Sequence, residues 1–424
     1  MVHNDAINRN SQPPPFSRFA WVEYIKAIAL LLIILVHFTE RPICCANFAN
    51  PTGSWPPLEA RIAQLQPIEY AGYSPVILNV WRYAGWSGDA GVQLFLIISG
   101  FGLAWGLLQR KQGADVPLGW FYRRRLLRIY PLWWGAHIFG ILFILISPLF
   151  DFGLSFFLSL LGLRITPTLF YYLSPAWWYI GLLIQLYLVF PFLWKILSRQ
   201  GALRAFVLVG GVAFALRGIG LLLLPQVLPD YVDGWSRGSI FITRLPEFLF
   251  GVCFAWWLYH KGDQVEKLAK HPLSVPAGVL IYGVGMALSL LLWGMTFALF
   301  LLGLGLFIPL YVWLRRIPIT GKFDAGVWLG QHSYSLFLTH HLFIIVLVRN
   351  TLDDPALLLL GLALALVGTL VSGLPLFDLR EPLRAVPECP YQPYNLHWLE
   401  SGHEAVAEYI AQVIARQYVT ADAD

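Results

Sequence analysis

Long apolar runs separated by short polar breaks dominate this chain. Ten runs reach or approach the roughly 20 residues that a helix needs to cross a bilayer core. They predict helices over 19–38, 91–108, 129–150, 177–197, 205–224, 240–259, 273–292, 296–314, 327–348 and 356–377. The stretch from 273 to 314 is too long for one crossing, and Trp293-Gly294 predicts a tight hairpin within it. The run 152–163 is apolar but short, which predicts a re-entrant or interfacial piece rather than a span. Between the first two runs lies a segment, 39–90, rich in Pro, Gly and aromatics, which could cover a cleft. Beyond 377 the pattern turns polar. There Val406, Ile410, Val413, Ile414 and Tyr418 share one face of a short amphipathic helix over 404–418.

Composition agrees with the pattern. The chain is 424 residues long, 58% hydrophobic and only 12% charged, against roughly 25% charged in a soluble domain. Its 18 Trp, 19 Tyr and 29 Phe match the rings that anchor spans at both membrane interfaces. The fold class expected is all-α: a multi-pass membrane protein of about ten transmembrane helices. No small-residue cleavage site follows the first apolar run, so it reads as a retained span.

Charge orients the chain. Most of the 29 Lys and Arg fall in alternate loops, among them Arg123, Arg124, Arg125, Arg128, Lys195, Arg199, Lys261, Lys267, Arg315 and Arg316. The positive-inside rule makes those loops cytoplasmic, and with them both termini. The organisation expected is a cytoplasmic segment 1–18, a membrane domain 19–377 and a cytoplasmic tail 378–424. The net charge of +5 follows loop topology and gives no reason to expect a nucleic-acid partner. Cys44, Cys45, Cys253 and Cys389 form no metal or disulfide framework. His332, His340 and His341 lack matching carboxylates, so no metal site is expected.

Within the first run, Lys26 and His37 stand eleven residues apart. That is three turns and ~20°, so they share a face ~16 Å apart along the axis. Glu23 lies one turn below Lys26 on the same stripe. Ionisable groups in a span cost enough to be functional by default. Imidazole is a general base near neutral pH; it is equally a histidine hydrogen-bonded to a neighbouring helix. Lys26 can meet a phosphate, or pair with Glu23 and snorkel to the headgroups. Arg125 and Arg128 are one turn apart and can grip a phosphate together, or anchor the span above them. Gln185, Arg217 and Arg244 with Glu247 at i+3 are candidates for lining a polar channel.

Several segments, in order, resemble the acyltransferase-3 family of membrane-bound acyltransferases. Val22-Glu23-Tyr24-Ile25-Lys26-Ala27-Ile28-Ala29 followed by His37 is similar to the family's Leu-Asp-x-Leu-Arg-Gly-x-Ala and its later His. Gly91-Val92-Gln93-Leu94-Phe95 through Ser99-Gly100-Phe101 resembles Gly-Val-Asp-Leu-Phe-Phe-x-x-Ser-Gly-Phe. Arg125-Leu126-Leu127-Arg128-Ile129-Tyr130-Pro131 resembles Arg-x-x-Arg-Ile-x-Pro. Trp178, Tyr187 and Pro191 follow the fourth-span pattern. Ser333-Tyr334 through Leu338-Thr339-His340 resembles Ser-Tyr-x-x-Tyr-Leu-x-His.

The resemblance implies an O-acyltransferase of the inner (cell) membrane that moves an acyl group, usually acetyl, from cytoplasmic acyl-CoA to a hydroxyl of a cell-envelope glycan. It implies His37, with Lys26 and Glu23, as catalytic residues. It implies Arg125, Arg128 and Lys26 as holders of the CoA phosphates. Ser99, Tyr334 and His340 join Arg217, Arg244, Glu247 and Gln185 as channel candidates. Partners expected are the bilayer, acyl-CoA as co-substrate and a carbohydrate acceptor, with no tightly bound cofactor. The chain departs from the pattern at Glu23 (Asp in the family), at Ala27 (Gly) and at Leu183 and Ile184, where many members carry a Glu. The rival readings are a transporter or flippase of a lipid-linked or anionic substrate, a glycan polymerase or ligase, and a member that only binds or senses.

Overall fold

The computed structural model describes residues 20–40, 58–70, 72–110, 113–146, 153–317, 324–348 and 354–373, with the backbone alone for 142–146 and 372–373. The chain divides into two compact units, Met1–Ala20 with Pro375–Asp424, and Trp21–Leu374. Apart from Ala20, every described residue belongs to the second. Cys44, Cys45, Cys389 and the amphipathic stretch 404–418 lie outside the described residues.

All elements among the described residues are helical. In chain order they are α1 (Ala20–Glu40), α2 (Leu58–Ala63), α3 (Pro75–Gly88), α4 (Ala90–Gln109), α5 (Leu118–Ile146), α6 (Leu154–Leu160), α7 (Pro167–Phe170), α8 (Trp178–Gln200), α9 (Ala202–Ala205), α10 (Gly211–Val227), α11 (Val232–Arg237), α12 (Phe241–His260), α13 (Gly262–Lys270), α14 (Ser274–Leu288), α15 (Met295–Leu314), α16 (Ala325–Leu347) and α17 (Pro355–Gly373). The described part of each predicted apolar run is mainly helical, the run 205–224 being shared between α9, a π-helical turn at Phe206–Gly210 and α10.

Among the described residues six stretches are long and apolar enough to cross a membrane: Ala20–Glu40, Pro75–Gln109, Pro175–Gln200, Ala202–Val227, Pro229–His260 and Met295–Leu314. A seventh is added if α13 and α14, bent by 83° at their junction, count as one broken span. On length and composition the described residues thus supply six or seven of the roughly ten spans expected. α16 carries His332, His340 and His341 among its apolar residues, and α17 is described only to Gly373.

Two boundaries differ from the pattern-based reading. α3 was hidden in the segment 39–90 because Asn79, Arg82 and two glycines break its apolar run. Arg82 is fully buried, and its guanidinium donates to the carbonyls of Gln64 and Gln66 and to Asn79 Oδ1. α5 starts at Leu118 rather than 129, because the basic run 123–128 continues the helix instead of ending it. α6 has seven residues, ~10 Å of helix, too short to cross a bilayer.

The bundle is built on close helix contacts. α4 and α12 pack along each other with contacts that advance together: Ile97 with Gly251, Phe101 with Phe254, Trp105 with Tyr259. The two helices therefore run parallel. A Cβ at Gly251 would sit 1.9 Å from the Ile97 carbonyl oxygen, so this crossing tolerates no side chain there. α14 and α15 form the antiparallel hairpin foreseen at Trp293-Gly294, with Gly285 against Leu302 and Gly278 against Pro309.

Candidate active site

α1 and α16 lie side by side and parallel. Near their starts, the Tyr24 hydroxyl donates to Asp324 Oδ2, and Gly330 packs so closely on the Glu23 carbonyl that a Cβ would stand 2.1 Å from it. Asp324 also caps α16 by accepting from the Val327 N–H at 3.0 Å. The Tyr24 hydroxyl, and then the backbone donors, hold the Asp324 carboxyl below the usual carboxylate range. Ten residues beyond Gly330, ~15 Å along the helix, His340 meets His37.

There, His37 Nδ1 lies 2.9 Å from His340 Nε2. The two rings lie edge to edge, 5.1 Å between centroids with 25° between planes. His341 meets His37 edge-on at 4.5 Å. His340 is fully buried, and its Nδ1 lies 2.7 Å from the Phe337 carbonyl oxygen. His37 itself is half-buried and lines a cavity together with Glu40, Asp89, Trp178, Arg237 and Arg244.

The cavity mixes charges of both signs with aromatic faces. Arg237 is held by Asp233, Nε to Oδ1 at 2.7 Å, and Asp233 also accepts from the Tyr171 hydroxyl at 2.5 Å. Arg244 lies over the Trp178 ring at 5.7 Å, donates from Nε to the Arg237 carbonyl at 3.0 Å and faces Glu247 at 3.5 Å. Tyr179 completes the wall beside Phe337.

From Tyr179 a series of polar side chains leads toward the other end of the bundle. The Tyr179 and Ser99 hydroxyls lie 3.4 Å apart. Arg128 and Tyr187 are close enough to the Tyr179 phenol to interact with it electrostatically. The Tyr334 hydroxyl donates to the Ile129 carbonyl at 3.0 Å, next to Arg128. Arg125 packs its guanidinium over the Phe121 and Tyr187 rings at 5.6 and 5.9 Å. Its Nε is buried with no hydrogen-bond partner among the described residues, whereas Arg128 is exposed.

The structure thus brings His37 and Arg244 to one cavity, with His340 buried behind His37, and Ser99, Tyr334, Arg125 and Arg128 to the series that leads from it. Lys26 pairs with Glu23 at 2.8 and 3.0 Å, three helical turns from His37, in the salt bridge that was one of its two sequence-based readings. Gln185 and Arg217 lie outside the cavity lining. Gln185 donates to the Ser239 carbonyl at 3.2 Å and accepts from the Phe241 N–H at 3.1 Å, fastening α8 to the start of α12. Arg217 donates to the Ser236 and Thr243 carbonyls and fastens α10 to the same turn. Glu247 is fully buried between Arg244 and Arg217.

Sequence reasoning missed Glu40, Asp89, Arg237 and Tyr179 as cavity residues. The first three flank apolar runs at the end where His37 lies, a signal that was present but shared with every loop. Tyr179 gave none, being one aromatic among many. Among the described residues no cluster of His, Cys, Asp and Glu has the geometry for a metal ion. Cys253 is buried, its thiol directed at the Ala202 carbonyl.

A family model described as an acyltransferase domain, that of the acyltransferase-3 family, matches residues 19–377. The match spans most of the chain, and the protein belongs to this family. The comparisons with curated proteins and with solved structures return no match.

Proposed function

We propose that this acyltransferase moves an acyl group, acetyl by family habit, from cytoplasmic acyl-CoA to a hydroxyl of a cell-envelope or exported glycan, with His37 as general base. In this reading the protein is a ten-span inner-membrane enzyme with cytoplasmic termini and the His37 end outward. The observation that carries it is the placement of His37 in a cavity from which Tyr179, Ser99, Tyr334, Arg128 and Arg125 lead toward the opposite end. A hydroxyl-rich ring needs aromatic faces together with hydrogen-bonding carboxylates and guanidiniums, and Trp178, Glu40, Asp89, Arg237 and Arg244 supply them. The arginine pair suits the CoA phosphates, with the buried Arg125 Nε as an unmet donor.

The reaction has one balanced course. An acceptor oxygen attacks the thioester carbonyl as His37 takes its proton. The tetrahedral intermediate collapses, the C–S bond breaks, and the CoA thiolate takes the proton back from the imidazolium. Ester and free CoA are the products. Holding both reactants in line supplies much of the rate.

The test is binding of acetyl-CoA to the protein in nanodiscs, followed by acetyl transfer. Arg125→Ala/Arg128→Ala and removal of the 3′-phosphate from CoA should each weaken binding. His37→Ala should leave binding intact and abolish transfer. Intact protein that does not bind acetyl-CoA would favour the transporter reading.

A further inference from the structure

His37 and His340 sit 303 residues apart in sequence, yet their ring nitrogens meet at 2.9 Å. The protons in this contact follow from the partners. A carbonyl oxygen only accepts, so His340 Nδ1, 2.7 Å from the Phe337 carbonyl, must carry a proton. His340 is fully buried, and a second proton would place an uncompensated charge in an apolar bundle. Its Nε2 is therefore the lone-pair nitrogen and accepts from His37. That contact fixes the proton of neutral His37 on Nδ1 and puts its lone pair on Nε2.

We propose that His340 is the positioning residue of this site: it holds His37 in the Nδ1–H tautomer and so presents Nε2 as the base. The inference rests on the general-base reading above and adds what makes His37 competent. In water, a histidine side chain favours the opposite tautomer, and the hydrogen bond on one ring nitrogen decides which nitrogen is basic. The in-plane contact, 25° between ring planes, together with His341 at 4.5 Å, also limits rotation of His37 about its side-chain bonds.

The proton inventory closes on this arrangement. His37 Nε2 takes the acceptor's proton while Nδ1–H stays bonded to His340, and the imidazolium later returns the Nε2 proton to the CoA thiolate. His340 neither gains nor loses a proton. The ionisable groups around the pair are His341, edge-on at 4.5 Å from α16, and Glu40, Asp89, Arg237 and Arg244 of the cavity. The carboxylates can stabilise the transient imidazolium, which a neutral histidine partner alone does only weakly. A neutral acceptor orients the base without adding a permanent buried charge, unlike the carboxylate that performs this task in hydrolase triads.

The experiment is histidine-labelled 13C and 15N NMR of the full chain in nanodiscs, paired with acetyl-transfer kinetics. Subtraction of the His37→Gln spectrum assigns His37 among the ten histidines. Two variants are compared: His340→Leu, which removes the acceptor, and His340→Gln, which keeps an acceptor oxygen near the Nε2 position. The expected result is His37 as Nδ1–H in the native protein, its conversion to Nε2–H in His340→Leu, and its recovery in His340→Gln. In parallel, kcat should fall roughly 10- to 100-fold in His340→Leu and recover in His340→Gln. KM should change by less than about twofold, because the lost contact orients a reacting group and does not bind substrate. His37 found as Nε2–H in the native protein, or still Nδ1–H in His340→Leu, overturns the inference. The native spectrum decides between the tautomers even if the leucine variant does not fold. Full transfer by His37→Ala, with the native tautomer confirmed, overturns the general-base reading and with it the catalytic part of this inference.

Discussion

Two buried polar groups share this bundle and behave in opposite ways. At the end of α1, His37 meets another side chain, His340, and opens onto a cavity. On α10, Arg217 is fully buried, where His37 is half-buried, and its guanidinium donates to the backbone carbonyls of Ser236 and Thr243. Glu247 lies between Arg217 and Arg244 and adds charge balance. The difference lies in the partner. A polar side chain that spends its donors on carbonyls of a neighbouring turn acts as a fastening, because those donors would otherwise be unmet in an apolar medium. A polar side chain paired with another titratable ring beside open volume keeps capacity for chemistry. Both kinds looked alike as interruptions of apolar runs.

The contrast can be broken by substitution. His37→Ala should lower kcat for acetyl transfer by roughly 10²- to 10⁴-fold, the usual contribution of a general base, while thermal unfolding stays near native. Equal loss of stability would move His37 into the class of fastenings. Arg217→Leu should do the reverse. It removes the donors of two buried carbonyls and leaves Glu247 with Arg244 alone, so a loss of about 3–5 kcal/mol is expected in unfolding or in the yield of folded protein. A stable, inactive Arg217→Leu protein would place Arg217 in the site.

Gln185→Leu tests the milder fastening. It removes one donor and one acceptor at the start of α12, and a loss of about 1–3 kcal/mol is expected with KM and kcat little changed. The smallest effect concerns the opposite end of the α1–α16 contact. The Asp324 carboxyl titrates below its usual range because the Tyr24 hydroxyl and the Val327 N–H favour its charged form. Its contribution is therefore present above the unfolded carboxylate value, about 4, and is lost as pH falls through the lower folded value. Melting temperature followed between pH 6 and pH 3 should fall less steeply in Asp324→Asn than in the native protein.

Much of this was legible along the chain because membrane spans are long and their breaks are polar. The hairpin at Trp293-Gly294 and the shortness of α6 follow from run length alone. α3 was not legible, since Arg82 and Asn79 satisfy each other and nearby carbonyls and thereby enter the interior despite their polarity. The start of α5 was misplaced for a related reason: arginines are good helix formers, and a basic run reads as a loop only by composition. In the site, His37 and His340 were each visible, but nothing in local spacing joins residues on the first and the penultimate described long helices. The roles of Gln185 and Arg217 depended on which groups they face, and sequence carries no record of that.

The parallel contact of α1 and α16 also has a consequence for the order of events in the cell. A chain enters the membrane from its N-terminus, and domains form as they emerge. His37 is placed with the first helix, but its partner arrives only after α4 through α15 have been made. Throughout that interval His37 lacks its contact with His340, and the wall supplied by Phe337 is missing. The contact between His37 and His340 therefore forms only late in synthesis, with α17 alone still to follow among the described helices, so a chain stalled before His340 carries His37 without its partner.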